Sequence, residues 1–227
     1  MENSSSMSPS PFDPASIQAL LFDLDGTLIE STGDLVASGN WLRRREGMAL
    51  LDSARIAGYV GDGVEALVRR LLERPEGLVQ DRIEAFLLHY HEHCLDSTRL
   101  YPGVGATLEA LQARGYVMAV VTNKPERVSR RILEGLGVGR RFGSVVGGNS
   151  CAHKKPHPEP LFKACGDLAC EPKRALMVGD SRVDVEAGHN AGMASVGILG
   201  GIADQALLKA AGADVLIADF ERLMEIL

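Results

Sequence analysis

Six short apolar runs recur along the chain, and each reads as a strand buried on both faces. They are IQALLFDL (17–24), YVMAVVT (116–122), FGSVVGG (142–148), ALMVG (175–179), ASVGIL (194–199) and ADVLIA (213–218). A strand with one wet face alternates apolar and polar residues. A near-continuous Val/Leu/Ile run needs cover on both sides, which is the signature of a parallel sheet. The segments between the later runs have helix length. Leu108 and Leu111 precede Gly115, and Val128, Ile132 and Leu136 precede Gly137. A glycine just past a helical pattern is a stop signal. The alternation from about 100 to 227 predicts an α/β fold, doubly wound around a mainly parallel sheet.

The stretch after the first run differs, with no strand pattern of its own. Val64, Leu67, Val68, Leu71 and Leu72 share one helical face, as do Ile83, Phe86, Leu87, Tyr90 and Cys94. Residues 31–99 therefore read as a helical cap inserted into a core formed by 17–30 and 100–227. Residues 1–16 are rich in Ser and Pro and read as a flexible tail.

Composition excludes several classes. The 227 residues are 45% hydrophobic and 24% charged, which suits a globular chain. A net charge of −6 argues against nucleic acid as a partner, because a phosphate backbone demands a basic face. The four cysteines (Cys94, Cys151, Cys165 and Cys170) form no C-x-x-C pair, and a reduced compartment is expected. No apolar run approaches the roughly 18 residues needed to span a bilayer, and the first residues lack a secretory pattern. The expectation is a cytoplasmic protein without a membrane partner, either monomer or homodimer.

Ligands of open α/β sheets bind at the carboxyl ends of the strands. The first run ends in Asp23-Leu24-Asp25-Gly26, the second in Thr122-Asn123-Lys124, and the fourth in Asp180-Ser181-Arg182-Val183-Asp184. The third is followed by NSCAHKKPHPEP, with His153, Lys154, Lys155 and His157. Brought to one sheet edge, these residues supply several carboxylates, a hydroxyl, an amide and one or two lysines. Two carboxylates about 4 Å apart repel by roughly 4 kcal/mol at an effective dielectric near 20. Such a cluster must protonate or hold a cation, and hard oxygen donors favour Mg²⁺. Mg²⁺, lysine and a hydroxyl make a phosphate cradle, beside which a carboxylate can act as nucleophile. Each piece also has an ordinary reading: a solvated D-x-D loop, a Ser181/Asp184 capping box, a solvated Lys154-Lys155 pair. Their common placement at strand ends favours chemistry. Other clusters read as structural: His89, His91 and His93 as cap surface, Cys165 and Cys170 as packing, and Arg43-Arg44-Arg45 as a solvated face.

In this order, FDLDGT, TNK, KKPHPEP and GDSRVD resemble the four motifs of the haloacid dehalogenase-like phosphatase superfamily. The cap string GYVGDGVEALV (58–68), YPGV (101–104) and the full VTNK and KKPHP strings resemble its bacterial phosphoglycolate phosphatases. Residues 40–56 are less typical, which bears on the substrate rather than on the chemistry. The resemblance implies a Mg²⁺-dependent phosphomonoesterase acting on a small phosphorylated metabolite, 2-phosphoglycolate first. It implies Asp23 as nucleophile and Asp25 as general acid and then base, with its backbone carbonyl on the metal. Thr122 and the Asn123 amide would hold phosphoryl oxygens, with Lys155 neutralising charge and Lys154 the lesser candidate. Asp180 would complete the metal shell, and Asp184 would stand behind it or ligate through water. The Gly61-Asp62-Gly63 loop, ahead of a helix, would read the anionic end of the substrate through its amides, and the cap would hinge near 28–34 and 97–103. Three rivals stay open: the same chemistry on a sugar phosphate, an amino-sugar phosphate or pyrophosphate; a phosphomutase; and a phospho-acceptor signalling domain.

Overall fold

The computed structural model describes residues 12–74, 77 and 79–227. The six runs form one parallel sheet of β1 (Ala19–Phe22), β4 (Val117–Val121), β5 (Ser144–Val146), β6 (Ala175–Gly179), β7 (Ala194–Ile198) and β8 (Val215–Ile217). Their spatial order is β5-β4-β1-β6-β7-β8. From β1 the chain moves outward through β4 to β5. It then returns to lay β6 on the other side of β1. The order therefore reverses beside β1, and a crevice opens there between neighbouring loops.

Both faces of the sheet are covered, as unbroken apolar runs require. Leu20, Phe22, Val120 and Val178 join the larger core cluster, under α5 (Val104–Ala113) and α6 (Glu126–Gly135). The alternate residues Ala19, Leu21, Ala119, Ala175 and Met177 join a second cluster with Leu161, Ala164 and Ala187. Those last three belong to α7 (Glu159–Asp167) and α8 (Arg182–Asn190), and the small residues let these helices approach closely. Cys165 and Cys170 are packed in this second cluster.

Among the described residues, four helices make the cap: α1 (Thr32–Arg45), α2 (Ser53–Ala57), α3 (Val64–Leu71) and α4 (Gln80–His93). Leu67, Val68 and Leu71 of α3, and Ile83, Phe86 and Tyr90 of α4, are buried. Two strands appear where the sequence shows none. The pair β2 (Ile29–Glu30) and β3 (Arg99–Leu100) forms an antiparallel ribbon at the two chain crossings; strands of two residues have no periodicity to read. Beside the ribbon, the buried Asp34 carboxylate accepts bonds from the Ser97 and Thr98 backbone N–H groups (both 2.9 Å) and hydroxyls (2.6 and 2.7 Å). One side chain thus pins the exit of the cap to its entry.

The solvated-face reading of the arginine cluster fails for Arg43. Its side chain is buried, and its guanidinium donates to the carbonyls of Ala49 (2.5 Å) and Leu71. A helix end leaves carbonyls unpaired, and a guanidinium fork satisfies several at once. Arg44 and Arg45 are exposed. Of the tail, residues 1–11 lie outside the described residues. Phe12 packs against the core, and Asp13 caps a 3-10 turn over Pro14–Ser16. Among the described residues, no helix is long and apolar enough to cross a membrane.

Candidate active site

The strand ends deliver their polar residues to one cavity of about 470 Å³ between core and cap. Asp23, Asp25, Thr122, Asn123, Lys124, Lys155, Asp180 and Asp184 all line it. Parallel ladders set this convergence. The Asp23 N–H donates to Val178 O (2.9 Å), and the Thr122 N–H to Val146 O (2.9 Å), so each residue leaves its strand from a fixed height. Gly26 makes the sharp exit after Asp25 with φ of +86°. A Cβ there would collide with the Asp180 carboxylate, so only glycine lets the β1 loop lie against β6.

Lys155 is the electrostatic centre. Its ammonium donates to Asp23 Oδ1 (2.8 Å), Asp184 Oδ1 (2.6 Å) and the Val121 carbonyl (2.6 Å). Burial opposes its charge, but Asp184 and Asp23 outweigh that cost and hold it protonated above the usual lysine range. The loop carrying Lys155 is tied down from α8, where Asn190 Nδ2 donates to Pro156 O (3.0 Å).

Oxygens of Asp23, Asp180 and Asp184 lie within 4.8 Å of one another, and all three residues are buried. One lysine does not balance them. Burial pushes Asp180 up to about 8, with Asp184 and Asp23 adding repulsion, against bonds from the Ala203 and Ile202 N–H groups. Burial likewise pushes Asp23 up to about 6, although Lys155 pulls it down. A cluster of hard oxygen donors that resists ionising without a cation fits a divalent ion such as Mg²⁺. The Asp184 carboxylate is largely committed elsewhere: beyond Lys155, its Oδ2 accepts from the Ser181 N–H (3.0 Å) and hydroxyl (2.6 Å). Asp184 therefore belongs both to the capping box and to the charge cluster.

Asp25 stands apart from that triad. Its carboxylate accepts from the Ser31 hydroxyl (2.5 Å) and, through both oxygens, from Lys124 Nζ (2.8 and 2.9 Å). Lys124 is buried, and the ring of Tyr90 from α4 lies 4.8 Å from its ammonium. Ser31, Lys124 and Tyr90 are the site residues that sequence reasoning missed. Lys124 lay in view inside TNK, and Tyr90 on the apolar face of α4, but no local pattern shows that they meet.

Thr122 Oγ1 accepts from the Lys124 N–H (3.2 Å). Asn123 Nδ2 donates to Gly61 O (2.9 Å) and Lys155 O (3.0 Å), stitching the cap loop to the core. Lys154 adds a second stitch, from its Nζ to Asp62 O (2.5 Å). Gly61 and Gly63 do line the cavity, yet it is the carbonyls of Gly61 and Asp62 that meet core side chains. The Asp62 carboxylate is drawn off by Arg70 (2.5 Å). The rest of the cap wall is apolar, with Leu35, Val64, Leu67, Phe86 and Leu87. Asn123 Oδ1 and Tyr90 Oη are buried without a partner among the described residues. Outside the cavity, His153, His157 and Glu159 cluster on the surface, where they satisfy one another: the rings stack at 4.2 Å and His153 bonds to Glu159 at 2.8 Å.

A sequence model described as haloacid dehalogenase-like hydrolase matches residues 20–198. A phosphoglycolate phosphatase of Haemophilus influenzae (strain Rd) is 37% identical over 215 residues, covering 91% of this chain and 96% of the relative. One from Chromobacterium violaceum is 38% identical over 217 residues, covering 93% and 96%. Among solved structures, one described as a predicted phosphoglycolate phosphatase from Haemophilus somnus superposes with a TM-score of 0.85 at 33% identity. It covers 94% of this chain and 99% of that one.

Proposed function

Because the chain belongs to the haloacid dehalogenase-like hydrolases, we propose that its cavity is the active site of a phosphatase that hydrolyses 2-phosphoglycolate through an aspartyl-phosphate on Asp23. The observation that carries this reading is the buried Asp23 carboxylate, bonded to Lys155 at 2.8 Å in the cavity that also holds Asp25. One oxygen of Asp23 bonds to phosphorus while the bond from phosphorus to the ester oxygen breaks. The leaving oxygen keeps the electron pair and takes a proton from Asp25. Asp25, now a carboxylate, then takes a proton from water as the water oxygen bonds to phosphorus. The bond to Asp23 breaks, and inorganic phosphate leaves.

Thr122 and the Asn123 N–H bind phosphoryl oxygens, and Lys155 spreads the charge of the transferring group, which in a loose transition state is most of the catalysis. Asp23, Asp180 and the Asp25 carbonyl would hold Mg²⁺, with Asp184 behind them. The ion would neutralise phosphoryl charge and let one anion approach another. The relatives' named substrate supports 2-phosphoglycolate. So does the first turn of α3 on the cavity wall, whose N–H groups can meet a carboxylate. One feature favours a second reading, a bulkier sugar or amino-sugar phosphate: the apolar cap wall leaves more room than glycolate fills.

A panel of phosphate esters separates the two. 2-Phosphoglycolate should lead in kcat/KM with release of inorganic phosphate, and a low rank for it removes that substrate. Isomer formation without phosphate release would instead mark a mutase, and a stable phosphoprotein without turnover a signalling domain. Asp23→Asn should abolish both turnover and phosphoenzyme formation; near-normal turnover by that variant defeats the mechanism.

A further inference from the structure

Charge on the phosphoryl group calls for one buried ammonium, Lys155, yet the cavity holds a second in Lys124. That ammonium is committed to Asp25, at 2.8 and 2.9 Å from its two carboxylate oxygens. Ser31 holds Oδ1 as well, at 2.5 Å. On its other side Lys124 meets the Tyr90 ring, with Nζ 4.8 Å from the centroid. Tyr90 is 2% exposed and belongs to α4 of the cap, while Asp25 and Lys124 follow β1 and β4 of the core. Lys124 is thus sandwiched between a core carboxylate and an aromatic face that the cap supplies. A cation over an aromatic face is held more firmly where water is excluded.

We propose that Lys124 and Tyr90 are positioning residues for Asp25. Lys124 fixes both carboxylate oxygens in the orientation needed for proton transfer, and Tyr90, laid over Lys124 from α4, ties that orientation to the seated cap. This rests on the reading of Asp25 as the acid–base group. In the first half-reaction Asp25 gives its proton to the ester oxygen and becomes the carboxylate that Lys124 holds. In the second it receives a proton from the attacking water. A carboxylate free to swing slows both halves for an alkyl ester. With p-nitrophenyl phosphate the first half needs no proton donor, because p-nitrophenolate leaves unaided. The positioning defect is then confined to the second half, whereas a general structural defect slows both.

The test is rapid mixing of p-nitrophenyl phosphate with the Mg²⁺-loaded parent and its variants, following p-nitrophenolate with time. Lys124→Met should give a burst approaching one equivalent per active site. Its later steady rate, divided by burst amplitude, should fall by about 10²-fold, the usual cost of misplacing a reacting group. Its KM should fall along with kcat, leaving kcat/KM within about threefold of the parent, because kcat/KM for this ester reports only the first half. Tyr90→Leu should give the same shape with a loss of roughly 3–10-fold, a fraction of the usual general acid–base contribution. Partial unfolding lowers the burst amplitude but not the rate per phosphorylated site. Equal slowing of burst and steady phases overturns the proposal. So does a raised KM with unchanged kcat, which would make Lys124 a substrate ligand. Asp25→Asn separates the two levels of inference. If it gives no burst, the acid–base reading falls and the proposal with it. If it gives a burst and Lys124→Met does not, only the proposal falls.

Discussion

Lys155→Met removes a cation that touches both Asp23 and Asp184 while keeping much of the side chain's length. At 2.8 and 2.6 Å, each contact amounts to roughly 6 kcal/mol of Coulomb attraction at an effective dielectric near 20. Most of that offsets the cost of stripping water from three buried charges, so the net loss is far smaller. Removing one partner of a buried pair typically costs about 3–5 kcal/mol. For a domain of this size, 1 kcal/mol shifts Tm by about 2–4 °C, giving an expected drop of about 6–20 °C. The assay is thermal unfolding at pH 8 and pH 5, with and without Mg²⁺. The drop should be largest at pH 8 without metal, because the Asp23 carboxylate has then lost its counter-charge. It should shrink at pH 5, where Asp23 can protonate, and shrink on adding Mg²⁺. Turnover should fall by roughly 10²–10³-fold, as for loss of a transition-state charge stabiliser. A Tm change under about 3 °C, insensitive to both pH and Mg²⁺, would refute the claim that Lys155 balances the aspartate cluster.

Metal-free parent protein should itself lose stability as pH rises. The folded-state values of Asp23 (about 6) and Asp180 (about 8) exceed the ordinary carboxylate value of 3.8. Between that value and each raised one the folded chain binds more protons than the unfolded chain, so stability falls with pH. The contribution of Asp23 is gone above about pH 6 and that of Asp180 above about pH 8. Tm measured in chelator should therefore decline from pH 5 to 8.5, and saturating Mg²⁺ should flatten the decline; a level chelated profile contradicts the assignment. Asp34→Ala should cost roughly 3 kcal/mol in urea unfolding, since buried hydrogen bonds to a charged acceptor are lost together, and should raise KM as the cap loosens. A loss under about 1 kcal/mol would mean that the β2–β3 ribbon alone holds the two crossings.

The α/β architecture was legible because burial on two faces leaves a mark in one dimension. ALMVG can be apolar throughout only if helices cover both sides, and that covering is what the second core cluster around Met177 shows. The same logic reached strand ends and therefore Asp23, Thr122 and Asp180, since a buried run must stop where its polar residues meet solvent or ligand; Lys154 and Lys155 came only as a pair in the loop after β5, and the family resemblance chose between them. The β2–β3 ribbon was not legible, because its strands are too short to carry a period. Arg43 was misread because a charged triplet looks solvated until the carbonyls of Ala49 and Leu71 are seen to end beside it.

Side-chain pairing across distance was beyond reach in principle. Asp25 and Lys124 stand 99 residues apart, and Asp23 and Lys155 stand 132 apart. Both lysines follow strand ends, so local pattern cannot say which one serves which aspartate. Strand register and the crossing of chain at β1 settle it: they place Lys155 between Asp23 and Asp184, and Lys124 on Asp25 under a cap tyrosine. Periodicity reports how much of a residue is hidden, which is a property of its own segment. Which charge neutralises which depends on angstrom-scale distances between segments, and those come into being only when the sheet has closed and the cap has settled on it.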